Sequence, residues 1–271
     1  MSKKYGLVGH PLGHSFSRRF HNERFSRMGI DAEYVNYDLE DIGMLPDILR
    51  NERTLCGLNV TIPYKQQVIR FLDELDPVAQ RIGAVNTICI HRIASDKSLE
   101  LGSKVQGLWL KGYNTDIIGF RDSIMPLLRS AGIVDENGKA QMDTAALILG
   151  TGGASKAIKV ALEDMGISLA FVSRSSSHGQ FTYEQLTPEV MAAHRIIVNC
   201  TPLGTFPNVN ECPNIPYEYL TPRHVCYDLV YNPAVTLFLM KAKEKGTATM
   251  CGGAMLEGQA IASYRYWTET D

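Results

Sequence analysis

Short apolar runs alternate with amphipathic stretches along the whole chain, the pattern of an α/β protein. Residues 5–9, 32–37, 56–62 and 83–90 read as strands, with helices over 18–28, 45–50, 66–75 and 77–82. In the first helix the apolar side is Phe20, Phe25 and Met28. Residues 95–98 read as a turn and 105–111 as a strand, which predicts a hairpin. A helix over 120–131 and a polar break over 135–143 follow. Beyond the break, strands are predicted at 144–149, 168–173, 194–200, 225–230 and 247–250. Helices are predicted over 156–165 and 236–245 and, after the stretch 252–256, to Trp267, with a proline-containing loop over 207–222.

Polar residues at the ends of the apolar runs are the candidate chemistry. The stretch Asn59-Val60-Thr61-Ile62-Pro63-Tyr64-Lys65 ends a strand at Pro63, which has no N–H for a ladder. Thr61 and Lys65 then stand at the carboxyl edge, where open α/β sheets bind ligands. Lys65 is a candidate proton-transfer group and Thr61 a candidate substrate ligand; the plain alternative is a solvated lysine after a strand. Ser15 and Ser17 follow the first strand and suit a polar ligand, although a serine here also serves as a helix cap. Asn86 lies inside an apolar run and needs partners, from a ligand or from nearby backbone. Asp116 stands at a strand-to-helix junction, where it can cap the helix or hold the Lys65 ammonium. Gln259 carries a donor and an acceptor on the last helix, and reads otherwise as an exposed helical glutamine.

The strand at 144–149 runs into Gly150-Thr151-Gly152-Gly153-Ala154-Ser155 and then a helix. Strand, glycine turn and helix form a dinucleotide-binding arrangement, with helix N–H groups facing the pyrophosphate. The third small position is Ser155 rather than glycine. The next strand ends in Ser173-Arg174-Ser175, with no acid for a ribose hydroxyl, so a 2′-phosphate and NADP are favoured over NAD. Thr201, in a turn after residues 194–200, is set to line the cofactor cleft.

Composition narrows the picture. The chain has 271 residues and a net charge of -2, with 45% hydrophobic and 21% charged residues. That length suggests two domains, and the charge favours neither nucleic acid nor an anionic membrane as partner. The six cysteines are scattered without a C-x-x-C pair, and the seven histidines form no H-E-x-x-H, so no metal site is expected and reduced thiols in a cytoplasmic protein fit. The chain enters its first strand without an apolar leader, and no run is long enough to span a bilayer.

Together G-H-P-L-G-H-S-F-S, N-V-T-I-P-Y-K, G-A-V-N-T, N-T-D-I-I-G, G-T-G-G-A-S-K-A, S-R-S, N-C-T-P-L-G, D-L-V-Y-N-P and G-G-A-M-L-E-G-Q-A resemble the shikimate dehydrogenase family, in its order. The resemblance implies a substrate-binding α/β domain (1–115 and 253–271) and a Rossmann NADP-binding domain (116–252), the last helix returning to the first. It implies reversible NADPH-dependent reduction of 3-dehydroshikimate to shikimate, in the cytoplasm, by a monomer or homodimer. It makes Lys65 and Asp116 the catalytic pair. Ser15, Ser17, Thr61, Asn86, Gln259 and Tyr231 become substrate contacts. Gly150, Thr151, Gly152, Gly153, Ala154, Ser155, Ser173, Arg174, Ser175 and Thr201 become cofactor contacts, with Gly253 and Met255 beside the nicotinamide. Two departures stand out: the family commonly has Ser-Pro where this chain has Ser17-Arg18, and Asn-Arg-Thr where it has Ser173-Arg174-Ser175. A quinate/shikimate dehydrogenase with relaxed substrate or cofactor choice, an NADP-linked folate dehydrogenase and a non-catalytic NADP-binding sensor are the competing readings.

Overall fold

The computed structural model describes residues 2–13, 15–141 and 144–269. His14 of the first loop, and Met142 and Asp143 of the polar break, lie outside the described residues. The chain divides into two compact units, Met1–Thr115 with Ala260–Asp271, and Asp116–Gln259.

The first unit runs β1 (Lys3–Gly9), α1 (Phe16–Met28), β2 (Ala32–Asp38), α2 (Leu45–Asn51), β3 (Leu55–Val60), β4 (Glu74–Leu75), α3 (Pro77–Ile82), β5 (Thr87–Arg92), α4 (Ser95–Leu101) and β6 (Leu108–Tyr113). Its sheet has the order β2-β1-β3-β5-β6-β4. The β1 pairings with β2 and β3 are parallel, whereas β5 runs antiparallel to both β3 and β6. Alternation along β1 sends Val8 to an aliphatic core with Leu58, Val60, Ile88 and Leu110. It sends Tyr5 and Leu7 to an aromatic cluster with Phe25, Tyr34 and Trp267. The Trp267 ring stacks on Tyr5 at 4.8 Å, and its indole N–H donates to the Ile88 carbonyl at 3.0 Å. The end of the last helix is thereby fastened to this sheet.

Three local expectations change. The buried ridge of α1 is Ser17, His21 and Phe25, at four-residue spacing, while Met28 is 54% exposed. Two polar residues occupy the inward face, so the apolar period pointed to a neighbouring one. His21 lies flat on Tyr34, ring centroids 4.6 Å apart. Residues 66–75 form a 3-10 turn over Gln67–Phe71 and then β4, not an α-helix. The Asp73 carboxylate accepts from the Lys104 and Leu110 amides, each at 2.7 Å, and draws the chain to the sheet edge. The hairpin is realised as the β5–β6 pair, but its connection folds into α4 where a turn was expected. Ser98 Oγ accepts from the Gly107 amide at 2.8 Å and closes that connection.

The second unit holds α5 (Asp116–Ser130), β7 (Ala145–Leu149), α6 (Gly153–Asp164), β8 (Ser168–Ser173), β9 (Phe181–Thr182), α7 (Pro188–Ala193), β10 (Ile196–Asn199), β11 (Val225–Asp228), α8 (Leu237–Glu244), β12 (Ala248–Cys251) and the start of α9 (Gly253–Glu269). Its strands are all parallel, in the order β12-β11-β10-β7-β8-β9. Counted from β7, that is the 3-2-1-4-5-6 order of dinucleotide-binding sheets, with the switch between β7 and β10. The strands are near-continuous apolar runs because helices cover both faces. Leu147, Leu149, Val172, Ile197, Cys226 and Phe238 pack one side.

Candidate functional site

In the first unit the Asn59–Lys65 stretch falls as the strand pattern requires. β3 ends at Val60, and the Thr61 amide donates to the Val8 carbonyl at 2.9 Å. The Tyr64 amide donates back to Thr61 O at 2.9 Å, and the Tyr64 hydroxyl reaches the Leu39 carbonyl at 2.6 Å. Lys65 is held by its backbone: its carbonyl accepts from the Val85 amide at 2.7 Å. Thr61 and Lys65 are both partly exposed at this edge.

The serine loop divides its work. Ser15 caps α1, accepting from the Arg18 amide at 3.2 Å. A proline at position 18 could not make this bond, which gives Arg18 a structural reason; its side chain is exposed. Ser17 is buried beside the Tyr34 phenol. Tyr34 donates to Asn59 Oδ1 at 2.8 Å. Burial pushes the Tyr34 phenol well above its ordinary range, so it stays a neutral donor.

Asn86 is buried with its amide oxygen bonded within the protein. The Thr115 amide donates to Asn86 Oδ1 at 2.7 Å, and the hydroxyls of Thr87 and Thr115 approach the same oxygen at 3.0 and 3.1 Å. The partners of that amide oxygen, which pattern reasoning divided between ligand and backbone, are protein groups. Sequence reasoning missed the surrounding cluster of Asn59, Thr87, Thr115 and Ser263, since hydroxyls scattered over the chain carry no shared spacing.

In the second unit the carboxyl ends of successive strands bring the cofactor candidates to one edge. Gly150 follows β7 at φ +96°, a left-handed conformation that a side chain rarely adopts, beside Thr201 after β10. A Cβ on Gly152 or Gly153 would meet nothing within 4 Å, so the backbone at the start of α6 is open to a phosphate. This fits a dinucleotide. Ser155 behaves differently from its neighbours: it is buried, and its hydroxyl donates to the Gly152 carbonyl at 2.6 Å, bracing the turn. Ser173, Arg174 and Ser175 lie at the end of β8, with Arg174 and Ser175 exposed. The Ser175 and Ser177 hydroxyls bond each other at 2.7 Å.

Tyr231 lies just past β11 and is 43% exposed. The Gly252 amide donates to the Val230 carbonyl at 3.2 Å, which ties the turns after β11 and β12, and so brings Tyr231 near Gly253. Met255 is buried on the first turn of α9. Gly119 lets α5 approach α9 closely: a Cβ there would collide with the Met255 carbonyl and lie 3.0 Å from Gln259 N. Asp116 and Gln259, both buried, therefore sit on facing turns of these helices. At 7% exposure Gln259 is not the surface glutamine that its position alone suggested; its Nε2 donates to the Leu256 carbonyl at 2.9 Å. Asp228, which sequence reading passed over, is buried at the end of β11 and accepts from Asn199 (2.9 Å), the Val230 amide (3.0 Å) and Thr236 (2.6 Å). Burial outweighs these bonds and raises its carboxyl to about 6. Among the described residues no cluster could hold a metal ion, and no helix is long and apolar enough to cross a membrane.

These features define the class: a two-domain α/β protein with a dinucleotide-binding sheet in one domain. Residues 7–88 match the family model of the shikimate dehydrogenase substrate binding domain. A shikimate dehydrogenase (NADP(+)) of Desulforamulus reducens is 33% identical, over 97% of this chain and 89% of that protein. Shikimate 5-dehydrogenase of Thermus thermophilus, solved with NADP(H) and shikimate, is similar with a TM-score of 0.77 at 30% identity, covering 98% of this chain and 94% of that one. Quinate dehydrogenase of Corynebacterium glutamicum, solved with NAD, reaches a TM-score of 0.81 at 26% identity, covering 99% and 94%. The chain belongs to the shikimate dehydrogenase family.

Proposed function

We propose that this chain reversibly reduces 3-dehydroshikimate to shikimate with NADPH, in the cytoplasmic route to chorismate and the aromatic amino acids. The observation that carries this reading is the glycine turn, open over the switch between β7 and β10, with Arg174 at the end of the next strand. The backbone amides of residues 150–155 would hold the pyrophosphate, and Arg174, Ser173 and Ser175 the 2′-phosphate. Gly253, Met255 and Thr201 would border the nicotinamide. When bound, NADPH supplies the hydride for the substrate carbonyl.

Lys65 then meets the negative charge that develops on the carbonyl oxygen and gives it a proton; in the oxidative direction it takes the hydroxyl proton. Asp116 orients the Lys65 ammonium. Such a positioned acid/base contributes about 10²–10⁴-fold. Ser15, Ser17, Thr61, Asn86, Tyr231 and Gln259 bind and orient the substrate, and the protein works as a monomer or homodimer. Purified protein mixed with shikimate or quinate, each with NADP⁺ or NAD⁺, tests the reading by absorbance of reduced nicotinamide. Turnover fastest with shikimate and NADP⁺ supports it. Preference for quinate or NAD⁺ would favour the second reading, which the likeness to the NAD-bound quinate dehydrogenase supports and Arg174 opposes. Binding of NADPH without turnover of either substrate would leave a sensor.

A further inference from the structure

Asn199 ends β10 and Asp228 ends β11, in register with each other, and both are fully buried. Backbone groups fix the sense of the bonds around this pair. The Thr201 amide can only donate, so the Asn199 atom 3.0 Å from it is Oδ1, and the atom that faces Asp228 is Nδ2. The Val230 amide can only donate as well, so the Asp228 oxygen that it meets at 3.0 Å is an acceptor; the same Oδ1 takes Asn199 Nδ2 at 2.9 Å. The other Asp228 oxygen accepts at 2.6 Å from Thr236, the residue that caps α8. A buried carboxylate is costly unless its oxygens are bonded. Here the donors lie where the chain leaves the sheet or enters α8.

The relay ends on Thr201. Its hydroxyl is approached by the Leu203 amide at 3.4 Å and sends its own proton to Asn199 Oδ1 at 2.6 Å. With the oxygen so held, the methyl is turned to the glycine turn: Thr201 Cγ2 lies 3.0 Å from the place that a Cβ on Gly150 would take. β7 and β10 flank the switch in this sheet, where a dinucleotide lies. We infer that Asp228 is a positioning residue for the nicotinamide half of the cofactor: through Asn199 it fixes the Thr201 side chain, hydroxyl inward and methyl on the glycine turn.

This role rests on the proposed NADP reading and names the group that sets one of its contacts. Calorimetric binding tests it with two probes, NADP⁺ and adenosine 2′,5′-bisphosphate, which carries the 2′-phosphate but no nicotinamide. Asp228→Leu, of similar shape, removes both acceptor oxygens. Its NADP⁺ dissociation constant is expected to rise ~10-fold, while that of the bisphosphate stays within about twofold. Asn199→Ala cuts the same relay one link nearer to Thr201; it should match Asp228→Leu, and it stands in if Asp228→Leu does not fold. Asp228→Asn keeps an oxygen for Asn199 and Val230 and should bind both probes as wild type does, within about threefold. In a Thr201→Ala background the effect of Asp228→Leu should vanish. Wild-type NADP⁺ affinity in the relay variants, equal losses for the two probes, or losses that simply add with Thr201→Ala would overturn the inference while the functional reading stands. A wild-type protein that binds neither probe would sink the functional reading and the inference with it.

Discussion

The turns at residues 61–65 and 150–155 both follow the carboxyl end of a strand in a parallel pair, yet they are built by different chemistry. In the first unit side chains hold side chains: Tyr34, Asn59, Thr87, Thr115 and Ser263 surround Asn86, and most of these atoms are buried. In the second unit the glycine turn offers backbone, and its one buried side chain, Ser155, bonds that backbone. A substrate with several hydroxyls needs donors and acceptors in fixed senses, which only side chains supply in such variety. A pyrophosphate needs N–H groups and room, which glycine and a helix N-terminus supply.

The difference can be broken from either side. The largest effect is expected for Lys65→Ala: kcat falls about 10²–10⁴-fold with little change in substrate KM. Steady-state kinetics check this, and a large rise in KM at unchanged kcat would remove Lys65 from the chemistry.

Next comes the backbone site. Gly152→Val places its Cβ in open space, so thermal unfolding should hardly move while NADP⁺ affinity falls by roughly 100-fold. Gly150→Ala should do the reverse to stability. With φ at +96° and Thr201 Cγ2 at 3.0 Å from the added Cβ, it should lower the melting temperature by an amount equivalent to more than ~1 kcal/mol. Equal melting temperatures for the two variants would contradict the backbone argument.

A smaller effect is expected at Arg174→Ala: the NADP⁺ KM rises ~10-fold or more while the NAD⁺ KM stays put. If both rose together, the guanidinium would not be reading the 2′-phosphate.

The smallest effect is one of sign. Desolvation, aided by the Arg24 charge, lowers His21 to about 3. Both ring nitrogens lie buried among aromatic rings without a hydrogen bond. The unfolded chain therefore binds the extra proton first, and this contribution to stability is full above about 6.5 and is lost as pH falls toward 3. Asp228, raised to about 6 by desolvation, works oppositely: the folded state holds its proton longer, so stability falls as pH rises from about 4 to 6. Across that window the two slopes oppose each other in wild type. Chemical denaturation against pH should show stability falling with pH in His21→Phe and rising in Asp228→Asn. The same slope in both variants would refute the pairing.

How much was legible follows from what each feature depends on. The glycine turn, its flanking strand and helix, and Arg174 are contiguous, so local pattern carried them to the correct edge of the second sheet. The Thr61–Lys65 turn was legible for the same reason: Pro63 marks it within a few residues. The α1 face was misread because Ser17 and His21 occupy it, and a hydrophobic period cannot register a polar residue that is buried. α4 escaped notice because Gly107, which helps to close it, lies well beyond the turn that the local signals marked.

By itself, then, the sequence determined the alternation of strands and helices, the dinucleotide turn and the residues at the strand ends, since these rest on steric and hydrogen-bonding rules that act within a few neighbours. Only the tertiary structure decided which way Asn86 points, that Ser15 caps while Ser17 is buried, that Gln259 is buried, and that Ser263 meets Asn59 across a sequence separation of 204 residues. Those outcomes depend on which distant groups share a dehydrated space, where every donor must find an acceptor.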